Sequence, residues 1–131
     1  MAELNVQLVA ADRAIWSGSA RLVIARTLDG DLGVLPGHAL LLAELADGVV
    51  TIRTSEGPTV VAAVHGGFIS VTDDGVSLLA ESAELADEID VDRARRALQR
   101  LEAENGDGSD ERLAEAQRRA ETRLQAAESH L

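Results

Sequence analysis

The sequence contains no cysteine, no tyrosine and no lysine, and only two prolines among 131 residues. Without cysteine, disulfide bridges and thiolate metal sites are both excluded. Without tyrosine, and with a single tryptophan and a single phenylalanine, no series of rings exists on which the bases of a single strand would stack. Basic groups are scarce as well. Twelve arginines stand against 23 Asp and Glu, for a formal net charge of −11. That charge repels nucleic acid and anionic lipid and favours a partner with a basic surface. Long apolar runs are also missing. The stretch VLPGHALLLAELA is interrupted by Pro36, Gly37, His38 and Glu44, and is too short to cross a bilayer. The N-terminal MAELNVQLVAADR has no basic n-region and no apolar segment of the needed length, so no signal peptide is expected.

What is present falls into two parts with different periods. A hydrophobic content of 46% fits one compact domain plus a small appendage. Residues 3–82 read as strands. LNVQLVAA alternates around Leu4, Val6 and Leu8, and RLVIART, GVVTIRT, TVVAAVHG, FISVT and VSLLAES are short and rich in β-branched residues. Turn signals separate them at Ser17-Gly18, Asp29-Gly30, Asp47-Gly48, Gly57-Pro58 and Asp74-Gly75. Many short strands at close spacing predict a β-sandwich or barrel, and two layers let each strand bury one face.

After Ala83 the composition shifts to alanine, arginine, leucine and glutamate, all strong helix formers. Asp90 suits an N-cap, with Ile89 placed as a hydrophobic staple. NGDGSD breaks the helical pattern, and Asp110 suits the cap of a second helix. Val91, Ala94, Leu98 and Leu101 form one apolar stripe; Leu113, Ala116, Ala120, Leu124, Ala127 and Leu131 form another. The expected architecture is a β-sandwich over residues 1–84 and an antiparallel helical hairpin over 85–131. Its helices are expected at about 91–104 and 111–128, with a loop at 105–110. The stripes are rich in alanine. Since burial is worth roughly 25 cal/mol per Å², so small a side chain predicts weak docking and a mobile hairpin.

Arg93, Arg95, Arg96 and Arg100 crowd into eight residues of the first helix. Arg112, Arg119 and Arg123 lie along one edge of the second stripe. Facing stripes would bring arginines of both helices to one flank, where forked guanidinium donors suit phosphate oxygens. Ordinary ion pairing explains the same residues: Asp92–Arg96, Arg100–Glu104 and Glu115–Arg119 all sit at i,i+4. Other constellations carry less. His38, His65 and His130 are scattered without metal-ligand spacing, and no nucleophile elbow accompanies Ser, His and Asp. Gly66-Gly67 is followed by no phosphate-loop lysine and reads as close backbone approach in a hairpin. Trp16 and Phe68 are expected to be core or interface anchors.

In GDLGVLPGHALLL, GGFISV and LLAESAE, together with the switch from a β half to a helical hairpin, the chain resembles the epsilon subunits of bacterial F-type ATP synthases, called delta in mitochondria. The resemblance covers nearly the whole chain and rests on the order and spacing of these segments. It implies a non-catalytic central-stalk rotor subunit, peripheral on the cytoplasmic face of the cell membrane as part of the F1 sector. In the family the sandwich binds the gamma subunit and rests on the c ring. The hairpin folds down on the sandwich or extends among the alpha and beta subunits, where it inhibits ATP hydrolysis. Some members bind ATP as a regulatory ligand in the folded-down form, with no metal required. Their pattern I/L-D-x-x-R-A is matched by Ile89-Asp90-Val91-Asp92-Arg93-Ala94. By the same resemblance the ATP-binding set is Glu84, Asp90, Arg93, Arg100, Arg119 and Arg123. Asp31 and His38 fall on the c-ring-facing positions, although Leu40 stands where the family commonly has proline. No catalytic residue, metal, nucleic acid or lipid insertion is implied. Three other functions remain open: a stand-alone ATP-sensing module, a small hydrolase on a sandwich, and a rigid adaptor whose hairpin never moves.

Overall fold

The computed structural model describes residues 3–130. Seven strands come first: β1 (Leu4–Ala10), β2 (Ala14–Thr27), β3 (Gly30–Val34), β4 (Leu41–Glu44), β5 (Gly48–Thr54), β6 (Val60–Thr72) and β7 (Gly75–Leu85). A 3-10 turn at Ala86–Glu88 then leads to two helices, α1 (Val91–Asn105) and α2 (Glu111–His130). The expected β-sandwich followed by two helices is therefore the observed fold.

Hydrogen bonding runs in the order β1-β7-β6-β5-β2-β3, with β4 on β6 and β1 closing back onto β2. Three long strands serve both layers. In the first layer β1 pairs with residues 14–20 of β2 and 76–80 of β7, and β4 with residues 68–71 of β6. In the second layer β3 and β5 flank residues 20–27 of β2, and β5 also pairs with residues 60–64 of β6. A strand that changes layer needs a bend. In β6 the bend falls at Gly66 and Gly67, with φ of +68° and +110°. A Cβ on Gly67 would lie 2.0 Å from the Leu79 carbonyl oxygen. The Gly-Gly pair therefore lets two backbones meet at a corner, the role expected for it.

Between the layers, alternate residues meet in one core. Leu4, Val6 and Leu8 of β1 pack with Val23, Val50, Ile52, Ala62, Val64, Ile69, Val71, Val76 and Leu78, all buried. Trp16 is half-buried at the edge of this core. Of the two places expected for Phe68, core or interface, it is not in the core: it is 50% exposed, on the outer side of β6.

The helices are terminated as expected. Asp90 caps α1, its carboxylate accepting from the Arg93 amide at 3.1 Å, and Ile89 and Ala94 are buried together at that end. Asp110 caps α2, accepting from the amides of Arg112 and Leu113 at 3.0 and 3.4 Å. In the loop, the Asn105 side chain is buried and accepts from the Asp110 amide at 3.3 Å. The apolar stripe of α2 holds Ala120 and Ala127 buried and Leu113, Ala116 and Leu124 half-buried; Leu131 lies outside the described residues. Thr122 and Ala126 are buried too. The helix thus covers two neighbours, α1 on one side and β5, β6 and the 3-10 turn on the other.

Replacing Gly67 by alanine forces a left-handed conformation and a backbone clash, and should cost about 2–4 kcal/mol. Gly37→Ala, at φ +85° with open space around it, should cost only about 1 kcal/mol. Urea unfolding midpoints of the two variants check this contrast.

Candidate functional site

The hairpin lies down on the outer face of the second layer. Residues 61–65 of β6 are buried without alternation. Ala62 and Val64 point into the sandwich core, while Val61 and Ala63 join Ala86, Ile89, Ala94, Ala126 and Ala127 in a second, smaller cluster. Most of this contact is alanine, so the area that holds the hairpin down is small.

One charged contact crosses the same interface. Arg123 of α2 donates through Nε to the Glu84 carboxylate of β7, and its second nitrogen reaches the other oxygen at 3.5 Å. Both side chains are about a third exposed, at 32% and 27%. Solvent screening therefore limits the pair to a modest contribution. The forked geometry still sets the rotation of α2 over the sheet. Glu88 fixes the connector: its carboxylate accepts from the Leu85 amide at 3.2 Å and from Arg13 at 3.5 Å.

His65 sits under the hairpin and was not singled out as a site residue by its sequence. It is buried, and its Nδ1 has no hydrogen-bond partner. Burial lowers the pKa of its imidazole; Asp47 and Glu84 oppose that, while Arg119 and Arg123 reinforce it. The signal was present in TVVAAVHG. A strand with apolar residues in both phases is covered on both faces, and His65 is in phase with Val61 and Ala63.

The six nucleotide-site residues suggested by the family resemblance do not all meet. Glu84 and Arg123 are joined directly, and Arg119 is near enough to act on the same imidazole as Arg123. Arg119 itself pairs with Glu115, as its i,i+4 spacing predicts. Arg93 and Arg100 are exposed on α1, and no hydrogen bond or ion pair links either side chain to Glu84, Arg119 or Arg123. Asp90 is occupied by its cap. Two expected ion pairs are corrected. Asp92 pairs with Arg95 at i,i+3, 3.7 Å apart, instead of Arg96, and Arg100 forms no pair with Glu104. Both are exposed helix positions, where competing rotamers differ little in energy.

At the loop end of the sandwich, Asp31 is exposed and held by Arg26 at 3.2 Å. His38 Nδ1 donates to the Ala39 carbonyl at 2.7 Å, and the His38 amide donates to the Leu35 carbonyl at 3.1 Å. The histidine thus stiffens its own turn. Leu28, Leu35 and Leu40 stand exposed around this end. On the outer face of the first layer, Val9, Leu79 and Phe68 are directly paired neighbours on β1, β7 and β6. Leu79 and Phe68 are 53% and 50% exposed. Leu42 of β4, at 71%, extends this open apolar face.

Residues 3–86 match the family described as ATP synthase, Delta/Epsilon chain, beta-sandwich domain. The chain is 65% identical over 125 residues, 95% of each chain, to the ATP synthase epsilon chain of Streptomyces griseus subsp. griseus. It is 63% identical over 126 residues, 96% of each chain, to the ATP synthase epsilon chain of Streptomyces coelicolor. Among solved structures, it superposes with a TM-score of 0.75 and 26% identity on a chain of the Euglena gracilis mitochondrial ATP synthase, OSCP/F1/c-ring in rotational state 1, covering 98% of this chain and 79% of that one.

Arg123→Ala should loosen the hairpin and leave the sandwich intact. The expected loss is about 1 kcal/mol, or about fivefold in the local opening constant. Amide hydrogen exchange should show faster exchange in α2 and unchanged exchange in β1 and β7.

Proposed function

The chain belongs to the delta/epsilon chain family of ATP synthases, and from that premise we propose that it is the non-catalytic rotor subunit linking gamma to the c ring. In this proposal it lies on the cytoplasmic face of the cell membrane, and its hairpin restrains ATP hydrolysis when it leaves the sandwich. The observation that carries the proposal is the interface itself: a small, alanine-rich cluster and the third-exposed Arg123–Glu84 pair join α2 to the sheet. An interface of this kind supports two arrangements separated by little free energy.

The open row of Val9, Leu79 and Phe68, with Leu42 beside it, is the surface proposed for gamma. The loop end carrying Asp31, His38 and the exposed Leu28, Leu35 and Leu40 is proposed for the c ring. Binding there would replace the Arg26–Asp31 pair with contacts to basic loop residues. Alpha and beta subunits would receive the extended hairpin. None of the described helices is long and apolar enough to cross a membrane, so contact with the membrane ring would be made through these loops.

ATP is proposed as the ligand that favours the docked hairpin. Glu84, Arg119 and Arg123 supply a carboxylate and two guanidiniums at the interface, and Arg93 and Arg100 on α1 have no carboxylate partner. A ligand shifts such an equilibrium only through differential affinity for the two arrangements. At a hundredfold excess over its dissociation constant it would stabilise the docked form by about 2.7 kcal/mol, enough to outweigh a pair like Arg123–Glu84.

Titration of the isolated chain with ATP should give saturable binding that Arg93→Ala plus Arg100→Ala abolishes; unaltered binding in that double variant removes the ATP site. Pull-down from native membranes should recover gamma with alpha and beta. ATP binding without any co-purifying subunit would favour the stand-alone sensor instead.

A further inference from the structure

Of the titratable side chains described, His65 alone is buried, at 6% exposure, and it lies where the sandwich and the hairpin meet. It shares the outer face of β6 with Val61 and Ala63, both in the cluster that holds Ala126 and Ala127 of α2. Its Nδ1 is cut off from water and from any partner. A neutral imidazole tolerates this, because one ring nitrogen needs no proton. An imidazolium must donate from both nitrogens, and at Nδ1 it would have no acceptor.

The charges around the ring come from three elements. Asp47 stands in the turn between β4 and β5, Glu84 on β7, and Arg119 and Arg123 on α2. Two carboxylates face two guanidiniums, and Glu84 is already bound to Arg123. No surplus of negative charge remains to hold a cation in the docked arrangement. The partition changes when α2 leaves: Arg119 and Arg123 go with the helix, whereas Asp47 and Glu84 stay on the sandwich beside a ring now open to water. Hydration and the two remaining carboxylates then favour the charged form.

We propose that His65 is a proton-operated release for the hairpin: a proton taken up by its imidazole as the pH falls below neutrality drives α1 and α2 off the sandwich. The sign follows from linkage. The docked state binds the proton less readily than the undocked state, whose imidazole titrates near its ordinary value of about 6.5. The contribution of the neutral ring to docking is fully present above that value and is lost as pH falls through it toward the lower pKa of the docked ring. Between pH 7.5 and 5.5 the ratio of undocked to docked protein should rise, with a ceiling of about tenfold set by proton uptake in the undocked state by a group of pKa about 6.5. This device rests on the proposal that the hairpin is detachable, and it adds a proton as a ligand opposing ATP at the same interface.

Two measurements on the full-length chain test it. Imidazole resonances should show His65 titrating below the ordinary histidine range in the docked state; titration at or above that range overturns the proposal. Exchange of α2 amides, corrected for intrinsic rates, should show the opening constant rising from pH 7.5 to 5.5, by at most about tenfold. That rise should disappear in His65→Gln, which keeps a polar side chain but does not titrate. A rise that persists in His65→Gln, or no rise in the parent chain, overturns the proton release and leaves the detachable hairpin standing. If α2 amides exchange only with global unfolding at every pH, the detachable hairpin fails, and the release fails with it.

Discussion

Most of the buried side chains between the hairpin and the sheet are alanine, and that limits the area by which the two are joined. Alanine lets a helix approach a sheet closely, yet contributes little area once there. Val61, Ala63, Ala86, Ile89, Ala94, Ala126 and Ala127 make a buried surface dominated by small side chains. The sandwich beneath is different in kind. Leu8, Ile52, Ile69 and Leu78 are fully buried in its core, and three strands bind its layers to each other. One body is held by large aliphatic side chains and continuous ladders; the other rests on it through mostly small side chains and a forked ion pair.

The two layers are unequal on their outer faces. One outer face is covered by the molecule's own helices, and the other carries the open row of Val9, Leu79 and Phe68. Charge is divided as well. Eight of the twelve arginines lie in residues 93–123, so two thirds of the positive charge sits on the hairpin, and the sandwich is the more acidic part. The interface between them holds the one place where both signs meet around a buried histidine.

Much of this was legible in the sequence, and the parts that were not share a cause. Period-two alternation in LNVQLVAA, the turn dipeptides and the Asp90 and Asp110 caps are local signals, and local signals specified the elements. Tertiary placement decided the rest. Phe68 resembles a core residue by composition, but it falls in the outward phase of a strand that changes layers at Gly67. The buried Thr122 and Ala126 escaped a reading based on one apolar stripe because α2 has two neighbours. The burial of His65 was legible in the two apolar phases of TVVAAVHG, but the charges around it come from β7, α2 and a distant turn, which no spacing along the chain reveals. The family resemblance supplied six residues for one ligand, and only Glu84, Arg119 and Arg123 are gathered at the interface.

The bend at Gly66 and Gly67 joins features that otherwise have nothing in common. Phe68 stands on one exterior and His65 beneath the helices on the other, with only the two glycines between them. A crank has this form: two arms on opposite sides of a shaft, joined by a short throw. Because a side chain at Gly67 would collide with the backbone of Leu79 and Ala80, only glycine can form the throw, and the chain passes from one exterior to the other within three peptide units.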